Sequence, residues 1–122
     1  MMKIIEDPII LERYIRLHRF EEIFDIQKVP FKIIEVDEGD IIMEEGEEQR
    51  ELIYLVAGRV KVTSSAQTGK FLLLRFNHPL TVLGDVEFIR EVPVQSQVSA
   101  VIHSIIMTIP FDYIRANEMN NP

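Results

Sequence analysis

Between Phe31 and Ile109 the chain repeatedly alternates side-chain character over four to seven residues and then breaks at a turn residue, and this pattern constrains the fold most. Phe31, Ile33 and Glu35 alternate with Lys32, Ile34 and Val36, the period of a strand. Asp37-Glu38-Gly39-Asp40 then reads as a turn, with Gly39 free to take a positive φ. Ile41 to Met43 is a short strand, and Glu44-Glu45-Gly46-Glu47 is the next turn. Leu52 to Val56 is almost wholly apolar, which predicts a strand buried on both faces and ending at Ala57-Gly58. Val60 to Thr63 and Phe71 to Phe76 flank a hairpin turn at Gln67-Thr68-Gly69-Lys70, and His78-Pro79 is a loop. Val94, Ser96, Val98 and Ala100 alternate with Gln95, Gln97 and Ser99, and after a break at His103-Ser104 the run Ile105 to Ile109 closes the series. Many short strands at this spacing indicate a mainly β domain, a sandwich or barrel.

Helical patterns flank the strands. Asp7 suits a helix N-cap and Pro8 the first helical position, and Ile10, Tyr14 and Leu17 fall on one face. A second short helix is expected from Phe20 to Ile26, ended by Val29-Pro30, so the helical part covers 7–27. The β part covers 31–110, and Pro110 opens a last helix, 111–119, holding Phe111, Tyr113 and Ile114 before the polar tail Asn117 to Pro122. A chain of 122 residues with no internal repeat or linker reads as one domain, 1–122.

Composition narrows the chemistry. There is no cysteine, so the chain offers no disulfide, thiolate metal site or iron–sulfur cluster, which fits a reducing, cytoplasmic setting. No stretch reaches the roughly 18 apolar residues of a membrane span, and MMKIIEDPII turns acidic too early for a signal peptide. The net charge is −7; Glu35 to Glu51 holds nine acids against Arg50, a local −8, so the remainder sums to +1. That acidic edge is a solvated hairpin face, and it repels nucleic acid.

Chemistry concentrates between Leu83 and Ala100, LGDVEFIREVPVQSQVSA. Gly84 is followed by a carboxylate, Asp85, then by one helical turn from Val86 to Arg90, then Pro93 and a return to strand. Backbone N–H groups gather at a helix start and can face an anion, and Asp85 is placed to cap the turn.

The ordered set Gly39-Asp40, Gly46, Ile53-Tyr54-Leu55-Val56-Ala57-Gly58 and Gly84-Asp85 resembles the cyclic-nucleotide-binding domain, in particular the sensory domain of Crp/Fnr-type bacterial transcription regulators. The similarity runs from about Phe20 to Arg115. It implies a double-stranded β-helix, the jelly-roll or β-roll, with flanking N- and C-terminal helices. It also implies a small-molecule effector, and a homodimer in the full-length regulator. DNA would be bound only through a C-terminal helix-turn-helix domain that this chain does not contain. The polar stop at Asn120-Asn121-Pro122 falls about where the family's long dimerisation helix begins, so the expectation is a sensory domain alone or a fragment.

In relatives that hold cyclic nucleotide, a Gly-Glu step sets a carboxylate on the ribose hydroxyl, and an Arg followed by a small residue grips the phosphate. By position these fall here on Gly84, Asp85, Gln95 and Ser96, with Val86 beside them. Asp85 is one methylene shorter than Glu. Gln95 is neutral and cannot make the two-pronged guanidinium contact. Arg90 is the guanidinium left inside the cassette and is expected to face solvent, while Glu87 and Glu91 add negative charge. Cyclic AMP or another cyclic nucleotide is therefore disfavoured as a ligand, and no other cofactor is implied. Pocket walls are expected from Ile53, Leu55, Leu73, Val86, Phe88 and Val98, which would suit a neutral or apolar effector.

Other chemistries find little support. His18, His78 and His103 are isolated in sequence, whereas a cupin-type metal site needs clustered histidines and an acid. Ser64, Ser65 and Ser96 lie in turn or strand contexts, and Asp85 and Glu87 are two apart and would not face each other on a helix. No catalytic or metal-binding set is predicted, and the chain is not expected to be an enzyme. Three readings stand: a sensory β-roll with a degenerate nucleotide pocket, a ligand-free β-roll for dimerisation or docking, and, weakest, a cupin-type metalloenzyme.

Overall fold

The computed structural model describes residues 2–19, 29–65 and 72–118. Among the described residues, nine strands form two antiparallel sheets. The first sheet has the order β1-β2-β9-β4-β7, made of β1 (Lys3–Ile5), β2 (Lys32–Val36), β9 (Ser104–Pro110), β4 (Glu51–Ala57) and β7 (Thr81–Leu83). The second has the order β3-β8-β5-β6, made of β3 (Ile41–Met43), β8 (Gln97–Ala100), β5 (Val60–Ser65) and β6 (Leu72–Asn77). This is the mainly β roll that the turn spacing and the resemblance predict.

The two sheets differ because their strands differ in pattern. β4 and β9 are nearly continuous apolar runs, and the first sheet is covered on both faces. Ile53 and Leu55 point into the roll with Val36, Val60, Val62, Val98 and Ile106. Tyr54 and Val56 point the other way, into a second cluster with Ile33, Met107, Ile109, Ile15 and Ile114. In β5, by contrast, Val60 and Val62 are buried while Lys61 is exposed, so the second sheet turns one face to water. Leu55 is fully buried at the centre of the roll, and truncating it to Ala costs about 2–5 kcal/mol.

Helix α1 (Pro8–Leu17) starts as expected: the Asp7 carboxylate accepts from the Ile9 N–H at 2.9 Å, and Pro8 occupies the first turn. Its buried residue is Ile15, which joins the outer cluster, while Leu17 lies 64% exposed rather than on the packed face. His18 follows the helix, and its Nε2 lies 3.0 Å from the Val56 carbonyl oxygen of β4, to which it donates. The second expected helix, Phe20 to Ile26, and the hairpin turn Gln67 to Lys70 lie outside the described residues, as does the end of the polar tail.

Three local expectations need correction. β1 was not visible in the pattern; it pairs Ile4 with Ile34, on an edge where three residues suffice. β7 was also missed: Val82 pairs with Tyr54, so the stretch before the cassette belongs to the first sheet. The strand expected from Val94 begins only at Gln97. Pro93 has no N–H to give, and Val94 spends both backbone groups on the acidic turn, donating to Glu47 O at 2.8 Å and accepting from Gly46 N at 2.9 Å.

The C-terminal segment is helical, as expected, but α-helical only at its start. Helix α3 (Phe111–Tyr113) passes into a wider π-type turn, Ile114–Glu118. Pro110 is the last residue of β9, and Phe111 and Ile114 are buried beneath the turn.

Candidate functional site

The cassette is held by a close backbone approach. Gly84 sits at φ +89, and a Cβ there would lie 3.0 Å from the Glu51 carbonyl oxygen of β4. Only glycine takes that φ without strain and lets β7 turn at once into helix α2 (Asp85–Arg90). Gly84 is itself the N-cap, and no side chain caps the helix. The capping role expected of Asp85 is therefore not found: Asp85 is the first helical residue, exposed, one position too late to cap.

Gly84, Asp85 and Val86 line a cavity of about 150 Å³ together with Gln95, Ser96 and Val98, so the fold brings these six sequence-derived residues together. Met43, Val62, Arg75, Asn77, Val82, Leu83 and Glu87 complete the lining. Ile53 and Leu55 belong to the core of the roll and are not among the lining residues. Phe88 is not among them either. It packs outward against Phe111 with ring centroids 4.9 Å apart. The Leu73 side chain lies outside the described residues.

The cassette's polar groups are partly committed. Gln95 is exposed and its Nε2 donates to the Pro93 carbonyl at 2.6 Å, a local bond that turns the amide back on its own loop. Ser96 shares a hydroxyl hydrogen bond with Ser64 of β5, which ties the loop to the second sheet. Arg90 is exposed, as expected. Glu91, in the left-handed region at φ 56, is also exposed and lines a different cavity.

Two charged residues change the electrostatics of the cavity. Arg75 stands opposite Val62 in the β5–β6 ladder, so it starts from the inward face of the second sheet. Sequence reasoning missed it because Leu72-Leu73-Leu74 has no alternation to fix which face β6 buries; only the pairing with β5 does. Leu74 and Phe76 take the outer face, and all three side chains, Arg75 included, are exposed. Glu87 is the negative charge expected nearby, but it is buried, which the sequence pattern does not reveal. It is 9% exposed, and its Oε2 has no hydrogen-bond partner among the described residues. The expectation of apolar walls is thus corrected: Arg75, Asp85 and Glu87 all line this cavity.

Glu87 also lines a larger groove of about 560 Å³ on its other side, with Glu48, Gln49, Glu91, Phe111 and Arg115. The Arg115 guanidinium lies 5.2 Å from the Phe88 ring centre and 5.6 Å from that of Phe111. The cassette helix and the C-terminal segment thus meet through Phe88.

The histidines do not converge. His103 pairs with Glu35 at 2.5 Å, His18 serves β4, and His78 is exposed in its loop. Among the described residues no three His, Cys, Asp or Glu side chains are grouped to hold a metal ion. No helix of the described residues is long and apolar enough to cross a membrane.

Comparison with known proteins places this arrangement. Residues 33–117 match the family described as cyclic nucleotide-binding domain. No curated protein matches the chain in sequence. Among solved structures, the sensor domain of the transcriptional regulator DNR from Pseudomonas aeruginosa aligns with a TM-score of 0.72 at 17% identity, over 92% of this chain and 79% of that one. Full-length DNR aligns at 0.75 and 17% identity, over 97% of this chain and 54% of that one. A regulatory subunit of a cAMP-independent protein kinase A from Trypanosoma brucei, a mutant bound to cAMP, aligns at 0.66 and 21% identity, over 70% of this chain and 32% of that one. The chain thus spans about a third of the kinase subunit and about half of DNR. At these identities the structures share a fold, and the sequence match across most of the roll carries the assignment: the chain belongs to the cyclic nucleotide-binding domain family.

Proposed function

We propose that this domain senses a small-molecule effector on behalf of a Crp/Fnr-like transcription regulator, and that its pocket no longer holds a cyclic nucleotide tightly. The observation that carries the reading is the state of the cassette. Where a phosphate-gripping guanidinium is expected, the Gln95 amide is neutral and bonded to Pro93, and the carboxylates of Asp85 and Glu87 line the same cavity. Both carboxylates resist an anionic ligand, against the single guanidinium of the exposed Arg75.

The signal would leave through the contact of α2 with the C-terminal segment, by way of Phe88 and Phe111. DNA binding, homodimerisation and a cytoplasmic setting follow from the resemblance to full-length regulators and are part of the proposal. In this reading the domain regulates and does not catalyse.

A docking module without a ligand is the second reading. It is favoured by α2 itself, whose Ile89 is 76% exposed and Val86 43% exposed. A thermal-shift screen across cyclic nucleotides, oxoacids, amino acids and haem separates the two. A ligand at a hundredfold over its dissociation constant stabilises the fold by about 2.7 kcal/mol, so a sensor gives a clear shift with at least one class. A flat response to all of them assigns the docking role.

A further inference from the structure

We propose that the cavity under the cassette binds a small zwitterion of the α-amino acid class, its carboxylate held by Arg75 and its ammonium by Glu87. This rests on the effector-sensing reading above and names the ligand class for the same site.

Two opposite charges line one cavity without neutralising each other. Arg75 makes no ion pair with any described residue, Asp85 and Glu87 included. Glu87 is nine-tenths buried, and its Oε2 has no partner among the described residues. A buried carboxylate oxygen with no donor is costly, so a fold that keeps one is poised for a donor from outside the protein. An ammonium offers three donors. The guanidinium of Arg75 complements it, since its fork matches a carboxylate in two-pronged geometry.

Charge sorting follows from this pairing. A simple anion gains Arg75 but meets the carboxylates of Asp85 and Glu87. A simple cation gains Glu87 but meets Arg75. A molecule with both charges satisfies both groups and brings no net charge into the roll. Size agrees as well. About 150 Å³ is room for roughly five waters at about 30 Å³ each, the scale of a small amino acid. A neighbouring cavity of about 300 Å³ shares Val62 and Arg75 and adds Ser64 and Leu74, which gives a ligand side chain a direction in which to extend.

The test is calorimetric titration of the purified chain with each proteinogenic L-amino acid, then with the N-acetyl and the C-terminal amide forms of any that binds. Saturable binding of at least one amino acid is expected. The N-acetyl form should bind about thirty-fold or more weakly, because it leaves the buried Glu87 unpaired, and the C-terminal amide about five-fold more weakly, because Arg75 is exposed and its pairing is screened by water. Arg75→Gln should weaken the parent amino acid as amidation does and make the protein indifferent to amidation. Glu87→Gln should do the same for acetylation. The blocked ligands are measured on the unaltered protein, so the result stands even where a variant folds poorly. Binding of a blocked form as tight as the parent overturns the proposal. So does saturable binding of a cyclic nucleotide or oxoacid with no amino acid bound, an outcome that leaves the sensing role standing. No binding by any compound overturns both.

Discussion

The Phe88 ring lies against that of Phe111 with centroids 4.9 Å apart and planes tilted by 48°. Phe88 belongs to the cassette helix and Phe111 to the first turn after β9, so this pair joins the pocket to the C-terminal segment. Tilted aromatic pairs contribute about 0.5–1.5 kcal/mol beyond the area they bury. A double-mutant cycle of Phe88→Ala and Phe111→Ala, followed by urea unfolding, should return a coupling in that range. Phe111, 3% exposed, should be the costlier single change, at about 3–5 kcal/mol. A coupling near zero would mean that the two segments move independently.

Gly58 and Gly46 offer a paired test of the turns. Both have positive φ, +99 and +90. A Cβ at Gly46 meets nothing within 4 Å, so Gly46→Ala should cost only the left-handed backbone strain of about 1–2 kcal/mol. At Gly58 the added carbon would fall 2.7 Å from the Ser104 Cα, which is backbone and cannot rotate away. Ser104 is fully buried, and its Oγ accepts from the Arg59 N–H at 3.1 Å and donates to Ile102 O at 2.8 Å. Gly58→Ala should therefore unfold at clearly lower urea concentration than Gly46→Ala. Equal midpoints would show that β9 yields at this crossing.

Tyr54 makes the stability of the roll sensitive to alkali. Burial among apolar side chains raises its phenol above the ordinary value of 10.0. The unfolded chain then loses this proton first as pH rises, so it binds fewer protons than the folded state and stability falls. The contribution is complete below the unfolded value and is lost as pH climbs through the folded one. Urea midpoints of the unaltered chain and of Tyr54→Phe should run parallel from neutral pH to about pH 9 and diverge above about pH 10, with the unaltered chain falling more steeply. Parallel curves throughout would place the phenolate in contact with water.

Much of the fold was legible because burial writes period into sequence. β4 read as two-sided from Leu52 to Val56, and Ile53 and Tyr54 do enter opposite clusters. The glycine turns at Gly39, Gly46 and Gly84 all have positive φ, as their places between strands required. What stayed hidden was long-range. β1 and β7 are three residues each, too short to show a period, and exist because β2 and β4 offer them edges. The place of Gln95 in the cassette could be read through the family resemblance. That Arg75, twenty residues earlier, lines the same cavity could not, because its facing is set by the pairing of β6 with β5.

Cyclic AMP supplies the sharpest test of the pocket. Restoring the expected guanidinium with Gln95→Arg adds one charged partner for a phosphate, worth up to about 2–5 kcal/mol where it is desolvated. Against that stand the carboxylates of Asp85 and Glu87, the second of them buried, in a cavity of about 150 Å³. Residue 95 is also exposed, so an Arg there is hydrated and gains less than the full amount. Titration with labelled cyclic AMP should show no saturation of the unaltered chain in the micromolar range, and Gln95→Arg alone should not bring it there. Gln95→Arg with Glu87→Gln removes the buried like charge as well and should bind at least about ten-fold tighter than Gln95→Arg, a difference of about 1.4 kcal/mol. Micromolar binding by the unaltered chain would show that Arg75 already grips the phosphate and would return the domain to the nucleotide sensors.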